Sequence, residues 1–339
     1  MRPFLYQRAA SLAEATQMAA NGGAALPPTM AAAQYLAGGT TLLDLMKLDV
    51  MRPEVVIDIN RLDPAGMRIE RRDGGLRLGA FLTMAAAAGH PEIKWDYPVL
   101  AQSLDLAASP QIRNMATLGG NVLQRTRCNY FRDPSWGACN KREPGTGCAA
   151  LGGVNRKHAV LGVSDSCIAA YPGDFAQALV ALDALAETIG PLGARLIPVD
   201  ELHRLPGDTP HLETVLVPGE VIVAFRLPAA PWTRRSLYLK IRDRQSYEFA
   251  LASAAVALDL VDGRVNEARI ALGGVATKPW RAREAEATLK GRAIDEASAR
   301  QTAEAAFAGA RTHGENGYKP ELGKRTLVRA LVQAAQLSV

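Results

Sequence analysis

Residues 34–45 read QYLAGGTTLLDL. Gln34, Tyr35 and Leu36 have the character of a short strand, since an aromatic and a bulky aliphatic side chain suit a pleated surface. Ala37, Gly38 and Gly39 break it, Thr40 and Thr41 follow, and Leu42, Leu43, Asp44 and Leu45 open a helix. A strand, a glycine turn, a hydroxyl cap and a helix in that order expose backbone N–H groups at a positive helix end. Such an end suits a phosphate. The same residues equally suit an ordinary strand–turn–helix connection with Thr40 as N-cap. A strand over 4–7, a helix opened by Ser11 with Glu14 as a capping box, and a strand over 54–60 complete one small βαβ lobe.

A second lobe opens with strands at 67–71 and 76–80, joined at Asp73-Gly74-Gly75 as a hairpin. Thr83 caps an alanine-rich helix, and 97–107 reads as another. Then comes QIRNMATLGGN (111–121), where a glycine pair after Thr117 permits close backbone approach or closes a tight turn at Asn121. Asp174 caps a helix over 175–185, and strands follow at 196–199 and 221–227. The stretch PAAPW (228–232) reads as a linker. Beyond it lie strands at 237–241, 249–261 and 265–272, turned at Asp262-Gly263, and helices around 282–290, 295–309 and 324–336. A sheet with helices on one face is the expected form of this third lobe.

All four cysteines, Cys128, Cys139, Cys148 and Cys167, fall between Gln124 and Cys167, with gaps of ten, eight and eighteen residues. Gly137, Pro144, Gly145 and Gly147 let that backbone bend four sulfurs round one point. Basic residues outnumber acidic ones there, from Arg125 to Lys157. Such charge favours thiolate and offsets an anionic cluster. Disulfides, structural zinc, an iron–sulfur cluster and unrelated core thiols all fit the count. The spacing lacks the close pairs usual for zinc, but does not by itself separate the two metals.

Composition narrows the class. The 339 residues imply two or three lobes, and 48% hydrophobic with 22% charged residues is ordinary for a globular protein. No apolar run approaches the roughly 20 residues of a membrane span, and the N-terminal MRPFLYQRAASLAEATQ has no apolar signal core. The net charge of +5 is mild and spread out, so no nucleic-acid partner is expected. The match of residues 145–150 to G-x-G-x-x-G/A follows KREP rather than a strand and is no dinucleotide fingerprint. No P-loop appears, and the five histidines form no metal-binding pair.

AGGTTLLDLMKL (37–48), QIRNMATLGGN (111–121), YPGDFAQALVAL (171–182) and ALGGVATKPWRA (271–282) resemble, in order and spacing, the FAD-binding medium subunit of the xanthine dehydrogenase/aldehyde oxidase family of molybdenum hydroxylases. The cysteine stretch, absent from most members, resembles the FAD and [4Fe–4S] subunit of bacterial periplasmic aldehyde oxidoreductases. The implied fold is α+β: a two-lobed vanillyl-alcohol-oxidase-type (PCMH-type) FAD domain over 1–228, with lobes at about 1–60 and 61–228 and an iron–sulfur insert at 124–167. A C-terminal α/β domain of the CO dehydrogenase flavoprotein type would cover 236–339.

By that resemblance, Ala37, Gly38, Gly39, Thr40 and Thr41, with Ala116, Thr117, Gly120 and Asn121, hold the FAD pyrophosphate and ribityl chain. Asp174 lies near the adenosine end and Lys240 near the flavin ring. Gly173 stands where the family has a serine. Cys128, Cys139, Cys148 and Cys167 become [4Fe–4S] ligands. With no ferredoxin spacing and no room for a molybdopterin centre, the chain is expected to be one subunit of a heterotrimer. Its partners would be a [2Fe–2S] small subunit and a molybdopterin large subunit. It would pass electrons from aldehyde oxidation to an external acceptor, in the periplasm if a partner carries the export signal and otherwise in the cytoplasm. The competing expectations are a self-contained flavin oxidase with a structural zinc loop and a scaffold that binds neither cofactor.

Overall fold

A computed structural model describes residues 1–20, 28–60, 62 and 64–339. Three sheets organise them. In the first, β1 (Leu5–Arg8), β2 (Ala33–Leu36) and β3 (Val55–Asp58) run parallel in the order β1-β3-β2. The helix Leu12–Ala20 lies between the first two strands. Its Glu14 N–H donates to Ser11 Oγ (3.1 Å), and the Glu14 carboxylate accepts from Ala10 N–H rather than from the cap residue.

The second sheet is antiparallel and holds β4 (Ile69–Arg72), β5 (Gly75–Gly79), β6 (Leu185–Gly190), β7 (Gly193–Pro198) and β8 (Val221–Leu227), in the order β4-β5-β8-β6-β7. Asp73 and Gly74 both take positive φ in the two-residue turn between β4 and β5, the conformation such a hairpin requires. Short helices including Met84–Gly89, Pro98–Asp105 and Phe175–Ala181 bury Met84, Leu100, Leu104, Phe175 and Leu179 in the largest core. Thr83 caps the first of these by accepting from Ala86 N–H. The structure departs from the sequence reading in several places. The helix after Asp174 ends at Ala181, because Asp183 adopts positive φ and turns the chain into β6, and a helix at Pro91–Asp96 precedes the one at 98.

The third sheet, β9 (Ser236–Ile241), β10 (Ala252–Val261), β11 (Arg264–Gly273) and β12 (Trp280–Arg281), is antiparallel in the order β12-β11-β10-β9. The helices Arg283–Leu289, Glu296–Ala306 and Lys319–Ala335 bury Leu289, Ala303, Leu327 and Leu331 against it. The last begins five residues before the expected 324, with Pro320 in its first turn where a missing N–H is harmless. Tyr238, Ala255 and Ala271 of this sheet join the core of the second, so the two pack as one body.

The cysteine stretch lies where the three sheets' lobes meet. Arg127 and Arg132 pair with Asp44 beside the first sheet. Arg125 and Lys141 pair with Glu213, ahead of β8. Arg156 pairs with Asp243 after β9, and Val160 N–H donates to Val275 O (2.8 Å).

Candidate cofactor site

A cavity of about 440 Å³ opens between the first two sheets, within the size range of small-molecule sites. Ala37, Gly38, Gly39, Thr40 and Thr41 line one side and Thr117, Gly119 and Gly120 another. The two glycine motifs, distant in sequence, touch. A Cβ on Gly38 would lie 2.0 Å from the carbonyl oxygen of Met115, so only glycine lets the segments meet.

The motifs do different things. Among the described residues, no acceptor within the protein takes the N–H groups of Thr40, Thr41 or Leu42. The helix itself starts at Leu42 and is six residues long, with Thr41 rather than Thr40 at the cap position and no side-chain cap bond. A row of unclaimed N–H groups on a cavity wall fits an anionic oxygen-rich group such as a pyrophosphate. The second motif keeps its donors. Gly119 N–H donates to Ala80 O (2.9 Å) and Gly120 N–H to Thr117 Oγ1 (3.2 Å), so residues 118–122 form a capped helical turn rather than a loop. This motif offers a close-packed wall.

The other expected cofactor residues stand off the cavity. Ala116 is buried behind Gly38. Asn121 Nδ2 donates to Met84 Sδ, and its Oδ1 is buried without a partner. Asp174 and Lys240 bond each other: Lys240 Nζ lies 2.7 Å from Asp174 Oδ2, and Tyr238 Oη donates to Oδ1 at 2.6 Å. Burial pushes this carboxyl up despite Lys240. The Asp174 side chain is therefore no helix cap. Two groups 2.7 Å apart also cannot mark opposite ends of one extended cofactor.

The sequence reading missed the far wall, where Arg125, Lys141, His203 and Glu213 line the cavity. Arg125 Nε lies 2.6 Å from Glu213 Oε2, and Lys141 Nζ donates to Glu213 Oε1 (3.0 Å) and Pro210 O (2.9 Å). Burial raises the Glu213 carboxyl, but Arg125 and then Lys141 outweigh it and hold it below the ordinary value. Arg125 and Lys141 were legible as basic residues, while nothing in the spacing marked Glu213. His203 Nε2 donates to Val122 O (3.1 Å), and burial pushes its imidazole down to about 4.

All four cysteines line a second, small cavity of about 10 Å³, which shares Lys141, Cys167 and Ala169 with the first. Cys139 and Cys148 face each other across an antiparallel bridge closed by Asn140 N–H to Gly147 O (2.7 Å), with Gly145 and Gly147 at positive φ. The thiols are free, and Cys139 and Cys167 are buried. Among the described residues no three His, Cys, Asp or Glu side chains converge closely enough for a single metal ion. Four thiols around one cavity are a donor set of the type that ligates an iron–sulfur group.

Burial outweighs the expected charge effect. Burial pushes the Cys128 thiol up to about 12 and Cys167 to about 11, and raises Cys139. The basic residues are engaged elsewhere: Arg127 and Arg132 at Asp44, Lys141 at Glu213, and Arg142 on the carbonyls of Tyr130, Phe131 and Trp136. A bound metal would hold such sulfurs as thiolates.

The family profile described as the FAD binding domain in molybdopterin dehydrogenase matches residues 2–230, and the CO dehydrogenase flavoprotein C-terminal domain matches 237–334. The chain is 46% identical over 337 residues to the aldehyde oxidoreductase FAD-binding subunit PaoB of Escherichia coli, covering 98% of this chain and 99% of that one. It is 29% identical to the carbon monoxide dehydrogenase medium chain of Afipia carboxidovorans, over 86% of this chain and 81% of that one. Among solved structures, reconstituted CO dehydrogenase from Oligotropha carboxidovorans superposes with a TM-score of 0.76 at 25% identity, covering 99% of both chains. Quinoline 2-oxidoreductase from Pseudomonas putida gives 0.73 at 26% identity, covering 99% of this chain and 98% of that one. No described helix is long and apolar enough to cross a membrane.

Proposed function

The chain belongs to the family of FAD-binding subunits of molybdopterin-dependent dehydrogenases, and from that premise we propose that it is the FAD- and [4Fe–4S]-containing electron-transfer subunit of a heterotrimeric molybdenum-dependent aldehyde oxidoreductase. The observation that carries the reading is the 440 Å³ cavity walled by both glycine motifs. Its unclaimed N–H groups at Thr40, Thr41 and Leu42 would hold the FAD pyrophosphate, and Gly38, Gly39, Thr117 and Gly120 would wall it. Asp174 and Lys240, buried as one ion pair, lie off this cavity and are not among its walls. FAD, when bound, takes electrons singly or in pairs and so joins one-electron centres to a two-electron acceptor.

Cys128, Cys139, Cys148 and Cys167 would hold the iron–sulfur group, a reading that rests on the one small cavity all four share. The substrate class comes from the aldehyde oxidoreductase relative, and the [2Fe–2S] and molybdopterin partners from the family. We take 1–228 and 236–339 as the two domains, in keeping with the break between the family matches at 230 and 237. Two measurements on the purified protein test the reading: its visible spectrum, and its iron and zinc content. Flavin bands over a broad shoulder near 400 nm, with iron in excess of zinc, are the expected result. Flavin with zinc alone, or a colourless protein, contradicts it.

A further inference from the structure

A histidine outside the four-cysteine cavity touches one of its sulfurs. His158 is 6% exposed, and its Nε2 lies 3.1 Å from Cys128 Sγ. The backbone that carries the ring is held from several directions. His158 N–H donates to Asn155 O (2.9 Å). Asn155 is 1% exposed; its Nδ2 donates to Ala150 O (3.0 Å), and its Oδ1 accepts from Glu315 N–H (2.9 Å). On the other side Lys319 Nζ donates to Lys157 O (3.0 Å). The Tyr130 ring stands 6.3 Å away, centroid to centroid.

The surroundings of the ring favour one tautomer over the other. Nδ1 is buried with no partner. A hydrogen there would be an unsatisfied buried donor and would turn the Nε2 lone pair toward sulfur. A hydrogen on Nε2 instead points at the sulfur, and a metal-bound thiolate is a strong acceptor. Hydrogen bonds to ligand sulfurs draw electron density from the metal–thiolate bond. They favour the reduced, more negative state, which raises the potential.

We propose that His158 is a positioning residue for the iron–sulfur group: its Nε2–H donates to the Cys128 sulfur and keeps the reduction potential higher than the four thiolates alone would set. The inference rests on reading the four cysteines as cluster ligands. Nothing in the sequence pointed to it, since His158 lies thirty positions from Cys128 and pairs with no other histidine.

The test is a redox titration of the purified holoprotein, followed by visible absorbance and electron paramagnetic resonance, with iron and FAD content measured on the same samples. His158→Phe and His158→Leu remove the donor, while His158→Gln keeps an N–H at the end of the side chain. Both donor-free variants should retain iron and FAD and show a downward shift in midpoint potential beyond titration error, and His158→Gln should recover part of it. Iron-replete donor-free variants with the wild-type potential overturn the proposal. So does loss of iron from both, which makes His158 a ligand or a scaffold residue. A wild-type protein that contains no iron fails at the earlier step, the cluster assignment itself.

Discussion

Gly38→Ala adds one methyl group where two cavity walls meet. The new Cβ would lie 2.0 Å from the Met115 carbonyl oxygen, 2.7 Å from its carbon and 2.9 Å from the Ala116 Cα, all backbone atoms with no rotamer to change. Restoring even a 3.0 Å contact moves one segment by at least 1 Å. Overpacking of this kind costs about 1–3 kcal/mol. Met115 and Ala116 lead directly into Thr117, and Gly38 leads into the unclaimed N–H groups at Thr40 and Thr41. The displacement therefore falls on the wall of the cavity proposed to hold FAD. If about 2 kcal/mol of it appears in binding, FAD affinity drops roughly 30-fold. Urea unfolding and titration of FAD into the flavin-depleted protein measure the two shares. Gly309→Ala, where an added Cβ meets nothing within 4 Å, should stay within about 0.5 kcal/mol of wild type. Gly38→Ala with wild-type stability and full FAD occupancy would refute the argument that these walls touch and form the site.

Further outcomes follow from the same geometry. Cys139→Ser should lose most of its iron while retaining FAD, and unchanged iron in that variant removes Cys139 from the ligand set. Gly120→Val puts a branched side chain on the cavity wall, where only Thr117 Oγ1 now stands within 4 Å of a Cβ; flavin absorbance per protein should fall, and full occupancy would make the turn merely structural. Burial lowers His203 from 6.5 to about 4. The unfolded chain thus takes up a proton below pH 6.5 that the folded chain refuses until about 4. Stability should fall as pH drops through that window, by up to about 3 kcal/mol. Urea midpoints across the range should fall less steeply for His203→Gln, and equal slopes would contradict the linkage.

The local patterns that specify strands and caps were legible. β8 lies at 221–227 as read, the Thr83 cap holds, and the Asp73-Gly74 and Asp262-Gly263 turns carry the positive φ their hairpins need. The strand–turn–helix connection at 34–45 was legible because its pattern is carried by consecutive residues. What depends on long-range packing was not. Asp174 reads locally as a helix cap, yet Tyr238 and Lys240, more than sixty positions on, claim its carboxylate. The basic residues around the cysteines read as a field favouring thiolate, yet Asp44, Glu213 and Asp243 neutralise several of them and burial prevails. Glu213 and His203 carry no spacing signal, and reach the cavity only because the segment before β8 folds over it.

On the function proposed above, this chain delivers electrons and does not itself oxidise the aldehyde. The direct test is a complex rebuilt with and without it, assayed on the same preparation. Without the subunit, substrate should still reduce the molybdenum and [2Fe–2S] centres of the partners in a single turnover, while the steady-state rate with a quinone-like or oxygen acceptor collapses. Restoring the FAD-loaded subunit should restore that rate. Full acceptor turnover in its absence, or aldehyde oxidation by the isolated 339-residue chain, would contradict the account.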